Sequence, residues 1–288
     1  MNKFSSVVFS TLLAGFAFCA CLPGCMEPSG PGSTSCYYFK SDTTIRIDSV
    51  WIDIKIPAGS RKGTLLLLQG WDFPRTDWCD KSDFCKKALQ KGYLLVMPET
   101  GKSIYHSSVY PETRKDWLQY PSGRWMWDSL IPIFQTQFCL FEKGKHNFVA
   151  GISTGGRGAA LACLKLPDVF SAGASLSGDF EQRKTPEDNL MVGYYGPIHA
   201  FPERWSGEDN PNASWKKWKT PFLIAHGKAD TVVPFSQSEI FYHTLVDSLH
   251  SSEIQFFPVE NGGHDYANWA SMTTRILDFF DSFISTQP

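Results

Sequence analysis

Gly151-Ile152-Ser153-Thr154-Gly155-Gly156 decides how this 288-residue chain folds. The stretch is a G-x-S-x-G pattern. Before it runs His146-Asn147-Phe148-Val149-Ala150, apolar as a buried strand should be. After it runs Arg157-Gly158-Ala159-Ala160-Leu161-Ala162-Cys163-Leu164, small and helix-forming. Strand, tight turn and helix are the setting in which such a serine becomes a nucleophile elbow. The turn forces the serine into a strained backbone conformation, so glycines flank it where a Cβ would clash. The hydroxyl is lifted above the sheet, and the helix N-terminus lies under the developing negative charge. A glycine-rich turn with a chance serine has the same spelling. The remainder of the chain must therefore supply the partners.

Working outward, residues 43–56 alternate and predict antiparallel edge strands or a hairpin. Thr64–Gln69 is continuous and apolar, like a strand buried on both faces. Phe84–Lys91 reads as a short helix, Tyr93–Pro98 as a strand, and Trp125–Phe138 as a helix. Phe170–Leu176, Pro221–His226 and Ile254–Val259 read as further strands. Helical spacing returns over Ser236–Leu249 and in one amphipathic helix from Trp269 to Phe283. Residues 180–219 break this rhythm with four prolines and many aromatics, and read as an insertion over the sheet. Alternating strands and helices predict an α/β fold with a mostly parallel central sheet and right-handed crossovers.

Composition sets bounds. Net charge is −2 and 42% of residues are hydrophobic, enough for one α/β domain over residues 41–288. No basic run could neutralise phosphates, which argues against nucleic acid as a partner. No Cys or His spacing resembles a zinc site, and no metal or cofactor is expected. Residues 1–25 read as a targeting segment: Lys3 is positive, and Val7–Leu22 is apolar but too short and interrupted for a stable span. Leu22-Pro23-Gly24-Cys25 looks like a bacterial lipobox with Cys25 as the lipidated residue. Cys21 is a weaker alternative, and a simply cleaved signal peptide is another reading. Residues 26–40 form a linker whose first ten residues are rich in Pro, Gly and Ser. Location in the bacterial cell envelope and membrane attachment through the lipid follow from this reading. Five of the eight cysteines lie beyond the leader: Cys36, Cys79, Cys85, Cys139 and Cys163. Export permits oxidation. Cys79 and Cys85 are near enough in sequence to pair, connectivity stays open, and Cys163 reads as a small buried core residue.

An elbow serine needs a base and a group that orients it. Asp230, within His226-Gly227-Lys228-Ala229-Asp230, follows one strand. His264, within Gly262-Gly263-His264-Asp265-Tyr266, follows the last. Both lie in loops at C-terminal strand ends, where open α/β sheets place their sites. Ser153 is then the nucleophile, His264 the base and later the acid, and Asp230 the orienting carboxylate. Asp179 and Asp265 are rival acids. Asp265 adjoins His264 and would struggle to reach its ring. His106, His146, His199, His226, His243 and His250 are poorer bases by position, and His226 reads as structural. The oxyanion hole calls for the N–H of Thr154 and one from Gln69-Gly70-Trp71-Asp72, with Trp71 the choice.

With these residues placed, the chain resembles the α/β-hydrolase superfamily over nearly all of the sequence beyond the leader. Gly151–Ala159 looks like the elbow of the esterase group that includes esterase D and the feruloyl and acetylxylan esterases. Gly262-Gly263-His264-Asp265-Tyr266-Ala267-Asn268-Trp269 is similar to that group's Gly-Gly-His-Asp-aromatic-x-x-Trp ending. His226-Gly227-x-x-Asp230-x-x-Val233-Pro234 also resembles prolyl-oligopeptidase-type peptidases and dienelactone hydrolases. Such peptidases carry a propeller domain, for which this chain has no room. Gln69-Gly70 departs from the usual His-Gly of the oxyanion loop. The resemblance implies a serine esterase working through an acyl-enzyme.

Trp71, Trp78, Tyr105, Tyr110, Trp117 and Tyr120 lie near strand-end loops. Tyr194, Tyr195, Phe201, Trp205, Trp215 and Trp218 lie in the insertion. Their faces suit sugar rings or a feruloyl group, and they suit packing of loops onto the sheet equally well. The resulting expectation is an exported esterase acting on acetylated or feruloylated glycans. Its alternatives are a peptidase-like or dienelactone-type hydrolase, or a silent hydrolase fold that binds glycan or cell wall.

Overall fold

The alternation over residues 43–56 becomes a hairpin. β1 (Thr43–Ile47) and β2 (Val50–Lys55) pair antiparallel, and Asp48 at φ 53° turns the chain between them. The computed structural model describes residues 36–249 and 253–284. The leader, the Cys25 lipidation site and residues 26–35 of the linker lie outside that description. β3 (Gly63–Leu68), β4 (Tyr93–Pro98), β5 (Asn147–Ile152), β6 (Ala172–Leu176), β7 (Phe222–Gly227) and β8 (Ile254–Val259) complete the sheet. The order is β1-β2-β4-β3-β5-β6-β7-β8. β2 meets β4 antiparallel, and every pairing from β4 through β8 is parallel. This is the α/β-hydrolase arrangement.

The two-residue period of the strands sorts the core into two layers. Leu66, Leu68, Val96, Val149 and Ile224 face one side, against Met126, Phe134, Ala160 and Phe241. Leu65, Leu67, Leu95, Ala150 and Leu223 face the other, against Trp78, Phe84, Trp269, Ile276 and Phe280. Burying both faces explains why these strands read as unbroken apolar runs. Each fully buried leucine contributes about 1.5–3 kcal/mol.

Two helices differ from expectation. The run expected over Trp125–Phe138 starts at Ser122 and widens into a π segment at Met126–Leu130 before Ile131–Phe138. Pro132 has no N–H to return to the preceding turn, and the Ile131 N–H reaches back to the Met126 carbonyl instead. The C-terminal helix is two, Tyr266–Ser271 and Thr273–Asp281, with Met272 capping the end of one and the start of the other.

The domain begins earlier than residue 41. Cys36 is disulfide-bonded to Cys139, and the Tyr37 N–H donates to the Gln137 carbonyl at 2.8 Å. Residues 36 and 37, read with the linker, are tied to the end of the helix Ile131–Phe138. Cys79 bonds Cys85, and Cys163 is free and buried. Residues 180–219 lie beyond β6 as short turns and helices, among them Asn189–Tyr195 and Pro202–Trp205. They bury Met191, Tyr194, Tyr195 and Trp205 together with Ile104 in a separate small core.

Candidate active site

Ser153 follows β5 and caps the start of the helix Thr154–Lys165 with φ 53° and ψ −126°. That backbone is strained for a residue with a side chain, and its surroundings allow nothing larger than glycine nearby. A Cβ on Gly151 would sit 1.9 Å from the Gly155 carbonyl oxygen, and one on Gly155 would sit 2.4 Å from that of Leu68. The elbow therefore exists because those two positions lack side chains.

The expected partners converge on the serine. His264 Nε2 lies 2.9 Å from Ser153 Oγ, and His264 Nδ1 lies 2.7 Å from Asp230 Oδ2. The N–H groups of Val232 and Val233 donate to Asp230 Oδ1 at 2.9 Å each. Burial pushes the Asp230 carboxyl up, but hydrogen bonds from His226 and His264, the nearby imidazole charge and the Val233 N–H together hold it well below the usual carboxylate range. It stays ionised and keeps the proton on His264 Nδ1, leaving Nε2 to accept from the serine.

The rival acids are occupied elsewhere. Asp265 caps the helix Tyr266–Ser271 by accepting the Asn268 N–H. Asp179 accepts from Arg157 Nη1 at 3.2 Å. Burial raises its carboxyl, with Arg157 offsetting part of the rise and Asp188 adding to it.

Three supporting residues were not legible as such. His226, expected to be structural, bonds Ser238 Oγ through Nδ1 at 2.7 Å and places Nε2 3.3 Å from Asp230 Oδ2. It approaches the same carboxylate oxygen as His264 while donating to the Val233 carbonyl at 3.0 Å, and its four-residue spacing to Asp230 was a readable signal. Trp269 donates from Nε1 to Ser177 Oγ at 3.1 Å and meets the His264 ring edge-on, centroids 5.1 Å apart. Arg157 is fully buried and donates to the Ile104 and Asp209 carbonyls, Gln182 Oε1, Tyr195 OH and Asp179. It fastens the 180–219 insertion to the helix that carries the nucleophile.

The oxyanion loop lies where expected. A Cβ on Gly70 would stand 3.1 Å from Ser153 Cβ, so the loop backbone runs directly past the nucleophile. Neither the Trp71 nor the Thr154 N–H has an acceptor among the described residues. Gln69 replaces the usual histidine and is buried, its Nε2 donating to the Leu67 carbonyl at 3.2 Å. Its own carbonyl accepts from Tyr105 OH at 2.9 Å. The loop is thus held by an amide and a phenol where an imidazole is customary.

Ser153 is 6% exposed, on the floor of a cleft of about 410 Å3. Trp71, Phe73, Leu190, Met191, Val232 and Pro234 form its apolar wall, and Asp179 and Asp188 add carboxylates. Among the aromatics singled out in the sequence, Trp71 lines this cleft. Trp78, Tyr105, Tyr194, Tyr195, Trp205 and Trp218 are buried and serve packing. Among the described residues no cluster of His, Cys, Asp and Glu could hold a metal ion.

Fold and site define a serine hydrolase of the α/β-hydrolase class. The chain belongs to the prolyl oligopeptidase family, whose model matches residues 137–287, over half its length. It is 23% identical to a poly(3-hydroxyoctanoate) depolymerase of Pseudomonas fluorescens, over 94% of this chain and 98% of that protein. Among solved structures it shares its fold with FphF, a fluorophosphonate-binding serine hydrolase of Staphylococcus aureus. There the TM-score is 0.64 at 19% identity, covering 83% of this chain and 97% of that one. A ferulic acid esterase gives a TM-score of 0.60 at 17% identity, with 84% and 97% covered.

Proposed function

We propose that this hydrolase cleaves carboxylic esters through an acyl-enzyme, removing acetyl or feruloyl groups from glycans outside the cytoplasm. The observation that carries the catalytic part is the continuous line from Ser153 Oγ through His264 to Asp230 Oδ2, with contacts of 2.9 and 2.7 Å. Ser153 Oγ attacks the ester carbonyl carbon while His264 Nε2 takes its proton. The tetrahedral oxyanion receives the Trp71 and Thr154 N–H groups, which have no other acceptor among the described residues. The imidazolium, held by Asp230, passes its proton to the departing alcohol oxygen. Water then repeats the sequence on the acyl-serine and releases the acid.

The ester class draws support from the names of the relatives, a depolymerase and a ferulic acid esterase among them. The apolar wall of Trp71 and Phe73 suits an acyl or aromatic group. Peptide hydrolysis is the second reading, and the family match favours it. The leader and Cys25 support export and a lipid anchor, which acyl-modified N-terminal peptides in mass spectrometry would verify.

The decisive experiment uses a fluorophosphonate probe on wild type and Ser153→Ala, followed by substrate panels. Wild type should label and the variant should not. Release of acetate or ferulate from acylated polysaccharides supports the proposal. Cleavage of nitrophenyl esters without such release removes the glycan assignment, and faster turnover of peptide amides than of esters removes the ester assignment. Folded wild type that fails to label would leave a silent binding protein.

A further inference from the structure

We infer that the face at the N-terminal ends of the parallel strands is a membrane-docking surface, resting on anionic lipid headgroups with the catalytic cleft turned away. Two adjoining cavities share Arg61 on this face. One, of about 230 Å3, is lined by Tyr37, Tyr38, Phe39, Arg61 and Phe138. The other, of about 250 Å3, is lined by Arg61, Lys62, Lys145, His146 and Glu142, beside Cys139. Glu142 is the one acid lining either cavity. Lys62 is paired with Asp281, whereas Arg61 and Lys145 are exposed and have no carboxylate partner among the described residues. Tyr37 and Tyr38 are 43% and 66% exposed, and among the described residues only Trp51 and Val232 are comparably exposed large apolar side chains.

Unpaired cations beside exposed tyrosines match the chemistry of a lipid interface. Each Lys or Arg near an anionic bilayer contributes about 1 kcal/mol, and tyrosine rings settle at headgroup depth. The position of the chain points to the same occupant. It enters the described domain at Cys36, which the disulfide to Cys139 fixes on this face. The segment before it carries the apolar leader and Cys25, so this inference rests on the lipid-anchor reading above. Acyl chains supply one attachment, and a basic aromatic patch beside the tether supplies the second that fixes orientation.

The geometry then sets which way the enzyme faces. Gly63 and Asn147 begin β3 and β5 at this face, while Ser153, Asp230 and His264 follow the opposite ends of their strands. A six-residue strand spans about 20 Å, so the cleft opens on the far side from the bilayer. A docked enzyme would present its active site to soluble or cell-wall substrates rather than to lipids.

The test uses residues 36–288, which form one compact unit containing both sheet-flanking cores. Without the leader, this piece separates docking from acylation. It should cosediment with vesicles of phosphatidylglycerol and phosphatidylcholine in equal parts, and not with phosphatidylcholine alone. Arg61→Glu/Lys145→Glu should weaken binding at least tenfold and Tyr38→Ser severalfold, with unchanged Tm and ester hydrolysis. Absence of binding, or equal binding by the charge-reversed variant, would overturn the inference. So would displacement by millimolar glycerophosphate, which would mark a pocket for a soluble phosphate. Failure of the anchor reading shows separately, as unmodified Cys25 in the full chain.

Discussion

Arg157 Nη1 lies 3.2 Å from Asp179 Oδ2, and this contact keeps the carboxylate after β6 out of the catalytic line. Two acids stand at strand ends near one histidine, and their partners divide their roles. Asp230 is met by His264, His226 and two backbone N–H groups, whereas Asp179 is committed to the arginine that holds the insertion.

That division predicts opposite outcomes for two similar substitutions. Asp230→Asn should lower kcat about ten-thousandfold by favouring the wrong imidazole tautomer, as removal of the orienting acid does in other triads. Asp179→Asn should leave kcat within a few-fold and cost about 1–2 kcal/mol of stability, since Arg157 keeps its other acceptors. Steady-state kinetics and thermal melts on both variants check this. Collapse of kcat in Asp179→Asn would reassign the acid.

His106 makes stability fall with acid. Burial holds its imidazole down to about 3, with the nearby Arg157 charge acting in the same direction. Its ring packs tilted by 40° against Tyr194, centroids 4.1 Å apart, and its Nδ1 lies 3.4 Å from Ser122 Oγ. The unfolded chain takes up this proton near pH 6.5, the folded protein only near 3. The stability contribution is therefore full above about pH 6.5 and is lost as pH falls toward 3, by at most about 1.4 kcal/mol per pH unit. His106→Gln should show a shallower decline in urea unfolding between pH 7 and 4. Parallel declines in the two proteins would refute the assignment.

The two disulfides should differ in worth. Cys36–Cys139 closes a loop of 103 residues and Cys79–Cys85 one of 6. Chain-entropy arguments give about 4.7 and about 2.2 kcal/mol respectively. Cys36→Ser/Cys139→Ser should therefore lower Tm roughly twice as far as Cys79→Ser/Cys85→Ser. Calorimetry on the two double variants would read the order, and a reversed order would contradict it.

The cleft should discriminate by charge. Asp179 and Asp188 line it, while Arg157, the nearby cation, is fully buried behind them. An ester whose acyl group ends in a carboxylate should show kcat/KM at least about tenfold below its neutral isostere, a penalty of about 1.4 kcal/mol. Salt should narrow the gap. Equal rates for the pair would show that the carboxylates do not face the bound acyl group.

Local pattern carried most of the architecture. Gly151 and Gly155 are required by contacts with backbone atoms, so the elbow is spelled in the sequence itself. The strands from β3 to β7 are buried on both faces, and their unbroken apolar runs announce it. The break at Met272 was not legible, because helical spacing continues across it and only the caps interrupt the ladder. The aromatics of the insertion were ambiguous for a related reason. Tyr194 and Trp205 look alike as sugar platforms or as core until the chain around them is placed, and here they are core.

The sequence by itself singled out Ser153 and His264 and the succession of strands and helices along the chain, since each follows from local spacing and from residues a strained turn demands. Only the tertiary structure decided which carboxylate serves the histidine. It also decided that Cys36 meets Cys139, and that Trp71 reaches the cleft while its fellow aromatics do not. Those outcomes depend on which groups meet across 34 to 103 residues of intervening chain. Hydrogen bonds, burial and charge at those meetings are properties of the packed fold, and no local pattern encodes them.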